Sequence, residues 1–482
     1  TFLDTMLRMS VVGLSGRSLR LPTRIRSVCV DPAVHLGMVC SYTDGKQAMN
    51  VHINRCFDSI VAGGVQICGL HATVAPRRQQ QQSPPTLEEF VFVPYVKTDC
   101  LSANGKLSEQ LRLCKGLIYR LQLKLAPHGV KLSIPGLQGE SDGPLPSAEP
   151  SEPSLVRLLA LLCRLELNGN LQSELEQMVE KERLCLLQDS LLQGLVDSPA
   201  LRHCLDTTIE NSMPGKIKVL EALSNDGQLF PRVVALLNIQ PMLSVDYTAT
   251  ATHLDLLAPH QATLEELAVT SAQWDPLIGP APGGMVGGAD LVLCNHSWGP
   301  LRTDPGLLVT NLASGAKQGG FILLHTLLKG ETLGETVAFL SSTAQSSSQH
   351  RGLLTQTEWE KVFSEASLNL IAVRKSFYGS ALFLCRCRSP DKKPVFPPVE
   401  STDYKWVETL KAMMVESSDC PVWLTASQAH CGIVGMVNCL RQEPGGNRIR
   451  CAFVSNLNKA SAAPRLQPAD KYLQRVLEGD LV

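Results

Sequence analysis

The amino-acid sequence predicts a mixed α/β protein of several domains, and three observations lead to this fold class. After one opening helix, residues 1–95 hold short β-branched runs that turn residues separate. Residues 106–210 repeat apolar positions at helical spacing. From residue 216, strand-like and helix-like segments alternate, which is typical of a doubly wound α/β sheet. A chain of 482 residues has room for roughly three such domains.

The composition is that of a globular protein without an electrostatic signature for nucleic acid or an anionic membrane. Hydrophobic residues make up 44% and charged residues 18%, and 44 basic residues balance 45 acidic ones to a net charge of -1. No apolar run reaches the roughly 18 residues of a membrane helix, so membrane insertion is not expected. The 16 cysteines form no CxxC pair. We therefore expect no metal site and a reducing, cytoplasmic location.

The first segment, residues 1–98, is predicted to be strand-rich after a helix over Phe2–Val11. Asp-Pro, Asp-Gly and Gly-Gly pairs mark turns between its short apolar runs. The predicted strands are Ile25–Val30, Met38–Tyr42, Val51–Ile53, Val65–Leu70 and Phe90–Val93.

The second segment, residues 99–388, is predicted to have a helical part (99–212) and an α/β core (213–388). Apolar residues recur at helical spacing over 106–125, and Ser198-Pro199 is typical of a helix start. The predicted core strands are Lys216–Leu223, Met242–Tyr247, Asp290–Cys294, Gly320–Leu324, Asn369–Val373 and Ala381–Cys385.

A proline-rich linker over 389–400 leads to the last segment, residues 401–482. Strand and helix alternate again here, which predicts a small α/β unit. The predicted elements are the helices Trp406–Val415 and Ile433–Arg441 and the strands Pro421–Leu424 and Arg450–Val454.

Asp4 is the candidate catalytic residue of the first segment. It stands between apolar residues on the opening helix, and a carboxylic acid kept protonated can donate a proton. The residues alone favour a surface aspartate in an i,i+4 salt bridge with Arg8.

Asp4-Thr5-Met6-Leu7-Arg8 resembles the DxxxQ/H motif of fatty acid synthase and polyketide synthase dehydratases. This resemblance implies an incomplete hot-dog (α+β) fold in which Asp4 protonates the leaving hydroxyl of a 3-hydroxyacyl thioester. Arg8 departs from the family's Gln or His, and a cation there would stabilise the carboxylate and oppose proton donation. None of the 11 histidines begins the HxxxGxxxxP motif of the other half. The N-terminal hot-dog half is therefore an expected partner.

The α/β core resembles a class I S-adenosylmethionine-dependent methyltransferase that has lost its cofactor loop. Glu221, Leu223, Asn225 and Gly227 stand where active relatives have E-x-G-x-G-x-G, so only one glycine remains. Ala251 stands where those relatives have the acid that binds the ribose. Asp246 lies nearby in sequence and is an open substitute for that acid. The resemblance implies that this segment binds no cofactor.

The last segment resembles the structural half of a synthase ketoreductase, a truncated Rossmann-like fold. The resemblance rests on Val422-Trp423-Leu424 and on residues 432–443, and no GxGxxG follows residue 389. In their order, the three segments resemble an internal fragment of an animal type I fatty acid synthase. They correspond to part of the dehydratase, a pseudo-methyltransferase and part of the pseudo-ketoreductase.

The resemblance implies a large homodimeric parent that makes long saturated fatty acids from acetyl-CoA and malonyl-CoA with NADPH. An acyl carrier domain with phosphopantetheine would deliver the 3-hydroxyacyl substrate, and enoyl reductase and ketoreductase domains would share the chain. Two alternatives stay open. One is a polyketide synthase-like segment with an active S-adenosylmethionine-dependent C-methyltransferase, and the other is a structural or interaction scaffold without a catalytic residue.

Overall fold

A computed structural model of the chain contains two compact units, residues 1–88 and residues 89–482. The residues that the structure describes are 2–12, 20–38, 40–41, 47–74, 93–128, 134, 137, 145–146, 154–166, 171–212, 215–225, 227–240, 243–298, 304–343, 353–388, 394–397, 399, 405–416, 420–426, 433–441, 443–453 and 471–481.

The first unit packs one helix against an antiparallel sheet. Its elements are α1 (Phe2–Val12), β1 (Arg20–Arg24), β2 (Ser27–Val30), α2 (Pro32–Gly37), β3 (Cys40–Ser41), β4 (Gln47–Ala48), β5 (Val51–Asn54), β6 (Ser59–Ala62), β7 (Val65–Cys68) and β8 (His71–Val74). The main sheet has the order β2-β7-β6-β5. Met6 of α1 is fully buried and shares a small core with Ile60 and Ile67 of the sheet. This arrangement is α+β, as the sequence predicts.

The second unit opens with an edge strand and a group of helices. These are β9 (Val96–Cys100), α3 (Gly105–Leu125), α4 (Ser154–Arg164), α5 (Leu171–Leu186), α6 (Ser190–Gln193) and α7 (Pro199–Glu210). The helix predicted over 106–125 is confirmed as α3, and Ser198 caps α7 with Pro199 at its first turn. The apolar stripe of α3 packs in one core with leucines of α4.

The α/β core follows these helices. Its elements are β10 (Lys216–Ala222), α8 (Phe230–Leu237), β11 (Ser244–Ala251), α9 (Gln261–Glu266), β12 (Thr270–Gln273), β13 (Ala289–His296), α10 (Pro305–Gly315), β14 (Ala316–Leu327), α11 (Thr332–Thr343), α12 (Gln356–Glu365), β15 (Leu368–Ser376) and β16 (Ser380–Cys387). The sheet has eight strands in the order β12-β11-β10-β13-β14-β16-β15-β9, and β16 runs antiparallel to both of its neighbours. Its inner strands are nearly continuous apolar runs, as expected where helices cover both faces.

The predicted core strands are present, but several of their ends differ. The first strand ends at Ala222 because Leu223 turns into a left-handed conformation with φ of 56°. The second strand continues to Ala251, beyond the predicted end at Tyr247, and the predicted start at Met242 lies outside the described residues. The sequence analysis missed β12, which is short, polar and exposed at the edge of the sheet.

The predicted boundary at residue 98 falls within β9, whereas the two compact units meet between Glu88 and Glu89. Strand β9 pairs in parallel with β15 and so belongs to the large sheet. Its middle residues Lys97, Thr98 and Asp99 are polar because they are exposed at the edge, and this hides the strand in the sequence. Apart from Val93, the predicted strand Phe90–Val93 lies outside the described residues.

The C-terminal segment is a small α/β unit docked on the large sheet. Its elements are α13 (Trp406–Val415), β17 (Val422–Ala426), α14 (Ile433–Leu440), β18 (Ile449–Phe453) and α15 (Lys471–Gly479), and β17 and β18 are parallel. The predicted helix Trp406–Val415 is confirmed as α13. The guanidinium of Arg386, on β16, donates to the carbonyl oxygens of Gly479 and Asp480. Among the described helices, none is long and apolar enough to cross a membrane.

Candidate functional site

The strand order of the large sheet reverses between β10 and β13. From β10 the order runs outward through β11 to β12, and from β13 it runs outward through β14. In open α/β sheets, ligands bind in the crevice at the carboxyl ends of the strands on either side of such a reversal. Ala222, the last residue of β10, is paired with Cys294 of β13, so Leu223 begins the loop after β10 and Asn295 is the next residue of the neighbouring strand. These two residues define the place where a ligand site is expected.

The described residues of the loop that leaves β10 (223–225 and 227–229) are folded into the protein rather than open. Leu223 is buried in the apolar cluster that includes Trp274, despite a φ of 56° that favours glycine. The amide of Ser224 donates to the carbonyl of Thr250 at 2.8 Å, which ties the loop to the end of β11. Asn225 is partly exposed, and its side-chain oxygen has no hydrogen-bond partner within the described part of the chain. The turn has thus kept a glycine-like backbone while a leucine side chain fills its inner side.

Glu221 is fully buried at the end of β10 and accepts two short hydrogen bonds. The Tyr247 hydroxyl donates to Oε2 at 2.6 Å, and the Leu229 amide donates to Oε1 at 2.7 Å. The second bond places the carboxylate at the N-terminus of α8, which favours negative charge. Burial nevertheless raises the pKa of Glu221 to about 7, and these hydrogen bonds only partly oppose that shift. Burial beside this carboxyl also raises the pKa of Tyr247.

Ala251 lies buried at the last position of β11, where it offers no group to a ribose. Asp246 does not replace the missing acid. It lies near the start of β11, in register with Lys218, and forms an ion pair with Lys216 at 3.2 Å. At about 3.3 Å per residue, roughly 16 Å of strand separates Asp246 from Ala251. The possible substitution that the sequence left open is therefore wrong.

Gly227, the glycine that remains in the loop, contacts a buried polar side chain. The amide nitrogen of Asn295 donates to the Gly227 carbonyl at 3.0 Å and to Oε1 of Gln193 at 3.2 Å. Gly227 has a φ of 151°, and a Cβ added there would lie 2.6 Å from the Asn295 amide nitrogen. The glycine is therefore required by both its backbone conformation and this contact.

Asn295 also contacts the neighbouring strands. Its Oδ1 lies 2.7 Å from Nδ1 of His325, and Nε2 of His325 lies 2.7 Å from the Ser380 hydroxyl oxygen. Because Oδ1 is an acceptor, Nδ1 carries the proton and Nε2 accepts from Ser380. Burial lowers the pKa of His325 to about 3, so the ring is neutral at physiological pH.

Asp4 lies in a very different environment on α1. Its side chain is 58% exposed and forms an ion pair with Arg8 at 2.9 Å, one helical turn away. The i,i+4 salt bridge that the sequence permitted is therefore present in the structure. Nothing in this geometry tests the catalytic role that the family resemblance implies for Asp4.

Comparison with known proteins identifies the C-terminal segment. Residues 403–482 match the family model described as the fatty acid synthase pseudo-KR domain. These residues are therefore similar to the pseudo-KR domain of fatty acid synthase. The recognition of a fatty acid synthase fragment from the sequence is confirmed by this match.

The chain is also similar to solved methyltransferase structures. The carbon methyltransferase CurJ has a TM-score of 0.36 and 14% identity, covering 60% of this chain and 93% of its own. The methyltransferase CalH, in complex with SAH, has a TM-score of 0.36 and 17% identity over 60% and 92%. The citrinin polyketide synthase CMeT domain has a TM-score of 0.35 and 14% identity over 60% and 92%. Likenesses this distant support no conclusion about activity. The mixed α/β fold class with a doubly wound core, predicted from the sequence, is confirmed by the strand order of the large sheet.

Sequence reasoning found Glu221, Leu223, Asn225, Gly227 and Ala251 but missed the polar residues that surround the loop. The missed residues are Gln193, Tyr247, Asn295, His325 and Ser380. Two of them carry a usable signal, because Asn295 and His325 interrupt buried apolar strands, and a buried polar side chain needs a partner. The described residues hold no group of three or more His, Cys, Asp or Glu side chains that could bind a metal ion.

Proposed function

We propose that this chain is an internal segment of an animal-type fatty acid synthase. Its first unit supplies the acid of the 3-hydroxyacyl dehydratase, and its second unit is a non-catalytic scaffold. The observation that carries the proposal is the pseudo-KR match over residues 403–482, which follows directly on a methyltransferase-like sheet. That order of domains is the one that the sequence resemblance implies.

The loop geometry supports the loss of methyl transfer. Leu223 occupies the inner side of the turn after β10, and Ala251 ends the strand where a ribose-binding acid would stand. The side chain of Asn295 donates a hydrogen bond to the Gly227 carbonyl at the point where the strand order reverses. A methyl donor would have to displace buried side chains to enter there, at the cost of their packing and hydrogen bonds.

The first unit supports a dehydratase role through the exposure of its acid and of its sheet. Asp4 is reachable by a substrate, which a proton donor must be. Strand β2 is an edge strand whose Val28 and Val30 are exposed, although their strand partners Ile67 and Val65 are buried. An exposed apolar edge strand is a surface that another chain segment can cover. The N-terminal hot-dog half of the dehydratase is the partner that we propose for this role.

The remaining parts of the proposal come from the family resemblance. The parent would be a cytoplasmic homodimer that uses NADPH, and its enoyl reductase and ketoreductase would lie on the same chain. An acyl carrier domain with phosphopantetheine would present the 3-hydroxyacyl group to Asp4. This chain itself would bind neither cofactor.

Replacement of Asp4 tests the dehydratase assignment. We expect Asp4→Asn in the full-length synthase to slow dehydration of a 3-hydroxyacyl substrate by about 10²- to 10⁴-fold, since a general acid contributes this much. A matched control is Glu109→Gln, which alters another exposed acid in a helical ion pair. Equal rates for Asp4→Asn and the unmodified synthase would refute the assignment.

Calorimetry with S-adenosylmethionine tests the non-catalytic assignment of the methyltransferase-like core. We expect the 482-residue chain to release no binding heat at micromolar donor concentrations. Micromolar affinity would instead favour the alternative of an active C-methyltransferase.

A pure scaffold is the second candidate, and one observation favours it. Arg8 forms an ion pair with Asp4 at 2.9 Å, so the only acid proposed as catalytic is engaged in a salt bridge on the helix surface. Normal dehydration by the Asp4→Asn synthase would support this candidate over the first.

A further inference from the structure

A continuous hydrogen-bond network of buried side chains crosses the point where the strand order reverses. Ser380 begins β16, His325 lies in β14, Asn295 lies in β13, and Gln193 ends the short helix α6. Each of the four side chains is 1% exposed or less. The network therefore joins three strands of the core to the helical part of the same unit, and it is buried from solvent.

The hydrogen bonds between the four side chains of this network all run in one direction. Ser380 donates to His325, His325 donates to Asn295, and Asn295 donates to Gln193 and to the Gly227 carbonyl. Gln193 then donates to the Leu187 carbonyl at 2.8 Å and to the Ser297 hydroxyl oxygen at 3.3 Å. Both protons of each amide are used and no acceptor is duplicated, so the network is fully satisfied. Satisfied buried networks strengthen one another and fix a single arrangement.

Asn295 is the branch point of the network. One of its amide protons holds the loop after β10 at Gly227, and the other holds α6 at Gln193. Loss of this side chain would leave the Gln193 oxygen and the His325 N–H without partners, and buried groups of this kind are costly to leave unpaired. The loop and α6 are therefore held down by the same side chain.

We propose that Ser380, His325, Asn295 and Gln193 form a latch that keeps the loop after β10 and the helix α6 closed over the strand ends. The latch rests on the proposed non-catalytic role, which it deepens: it is a built-in contact that blocks the crevice in which a methyl donor would bind. It also gives the retained Gly227 a role, because a Cβ at that position would strike Asn295.

Hydrogen exchange of the 482-residue chain tests the latch. In Asn295→Ala we expect the amides of residues 223–229 and of α6 to exchange at least tenfold faster than in the unmodified chain. The matched control is Asn311→Ala, since Asn311 is also a buried asparagine and donates to the Pro276 carbonyl at 2.8 Å, outside the network. The control should leave the exchange of both latch segments within twofold.

A second variant covers the case in which Asn295→Ala fails to fold. Gln193→Met keeps the size of the side chain and the Asn295–His325 bond but removes the contacts of Gln193. We expect it to speed exchange in α6 and in the loop, with α6 the more affected. Unchanged exchange of both segments in Gln193→Met would overturn the latch, and so would unchanged exchange in a folded Asn295→Ala.

The same experiments separate this inference from the proposed function. Binding of S-adenosylmethionine by the unmodified chain would refute the non-catalytic role, whatever the exchange rates of the variants. Slow exchange in both variants would refute the latch alone and leave the non-catalytic role in place.

Discussion

Asp4 and Glu221 are both acids that the sequence singles out, and their surroundings are opposite. Asp4 is largely exposed on α1 and is neutralised by Arg8. Glu221 is fully buried, contacts no cation among the residues that the structure describes, and is held by a phenol and a backbone amide. The pKa of Glu221 is raised to about 7, which in many enzymes marks a catalytic group.

The difference shows that a shifted pKa and a reachable site are separate properties. Glu221 has the chemistry of a proton donor, but its side chain is fully buried and so is not exposed to a substrate from solvent. Asp4 can be reached from solvent, and its carboxylate is paired with Arg8. In this chain, the shifted pKa of Glu221 reports burial in a closed structural loop. We therefore expect changes at Glu221 to alter stability and changes at Asp4 to alter activity.

The largest expected effect on stability is the pH dependence that Glu221 confers. The folded state keeps a proton on Glu221 up to about pH 7, whereas the unfolded chain releases it near the ordinary value of 4.5. Stability should therefore fall as the pH rises through this window, by about 3 kcal/mol in total. Glu221→Gln cannot titrate, and its stability should fall less between pH 5 and pH 7 in denaturant unfolding.

The control for this experiment is Glu408→Gln, because Glu408 is an exposed acid on α13. That variant should keep the pH dependence of the unmodified chain. An identical pH dependence in Glu221→Gln would mean that the buried carboxyl does not titrate as described.

The next effect concerns Tyr247, whose hydroxyl donates to the same carboxylate. At pH 8 the carboxylate is charged, and Tyr247→Phe removes a hydrogen bond to a charged group, which costs about 2 kcal/mol. At pH 5 the carboxyl is protonated, so the loss should be smaller. Thermal unfolding at the two pH values measures the difference. A loss that is equal at both values would show that Tyr247 acts through packing alone.

A smaller effect of about 1 kcal/mol should distinguish alanine from glycine at position 223. Both variants remove the buried leucine, but the left-handed backbone there costs an alanine about 1 kcal/mol that glycine avoids. Leu223→Gly should therefore be more stable than Leu223→Ala, which reverses the usual order. Leu220, buried within β10, is the control, since Leu220→Gly should be less stable than Leu220→Ala. The usual order at position 223 would mean that the loop changes its backbone when the side chain is removed.

The sequence predicted those parts of the fold in which buried residues repeat at a fixed spacing. The stripe of α3 and the apolar runs of β13 and β14 each predicted an element at the right place. The edge strands β9 and β12 were not predicted, because exposed edge positions carry polar residues that break the pattern. The predicted domain boundary at residue 98 differs as well, because the sequence did not reveal β9 as a strand that pairs with β15, far away along the chain.

The candidate site was predictable only where a motif is local. Glu221, Leu223 and Gly227 lie within one turn, so a single stretch of sequence revealed the loss of glycines. Gln193 and Asn295 are 102 residues apart, and their hydrogen bond follows from the packing of α6 on the sheet rather than from any spacing. Polar residues within apolar strands indicate that such partners exist, but only the fold indicates which partners they are.

The smallest effect on stability is expected for the exposed ion pair between Asp4 and Arg8. The Asp4 and Arg8 side chains are 58% and 78% exposed, and exposed ion pairs contribute little. Arg8→Gln should therefore change the stability of the chain by less than about 0.5 kcal/mol. On the proposed function, the same change restores a residue type that the family carries and removes the ion pair that engages the Asp4 carboxylate. Dehydration by the full-length Arg8→Gln synthase should then be faster near neutral pH, and Arg112→Gln, in the exposed Arg112–Glu109 pair, is the control. A slower rate with unchanged stability would instead assign Arg8 a direct role with the substrate. The exposed acid Asp4 would then differ from the buried Glu221 in acting together with a basic residue.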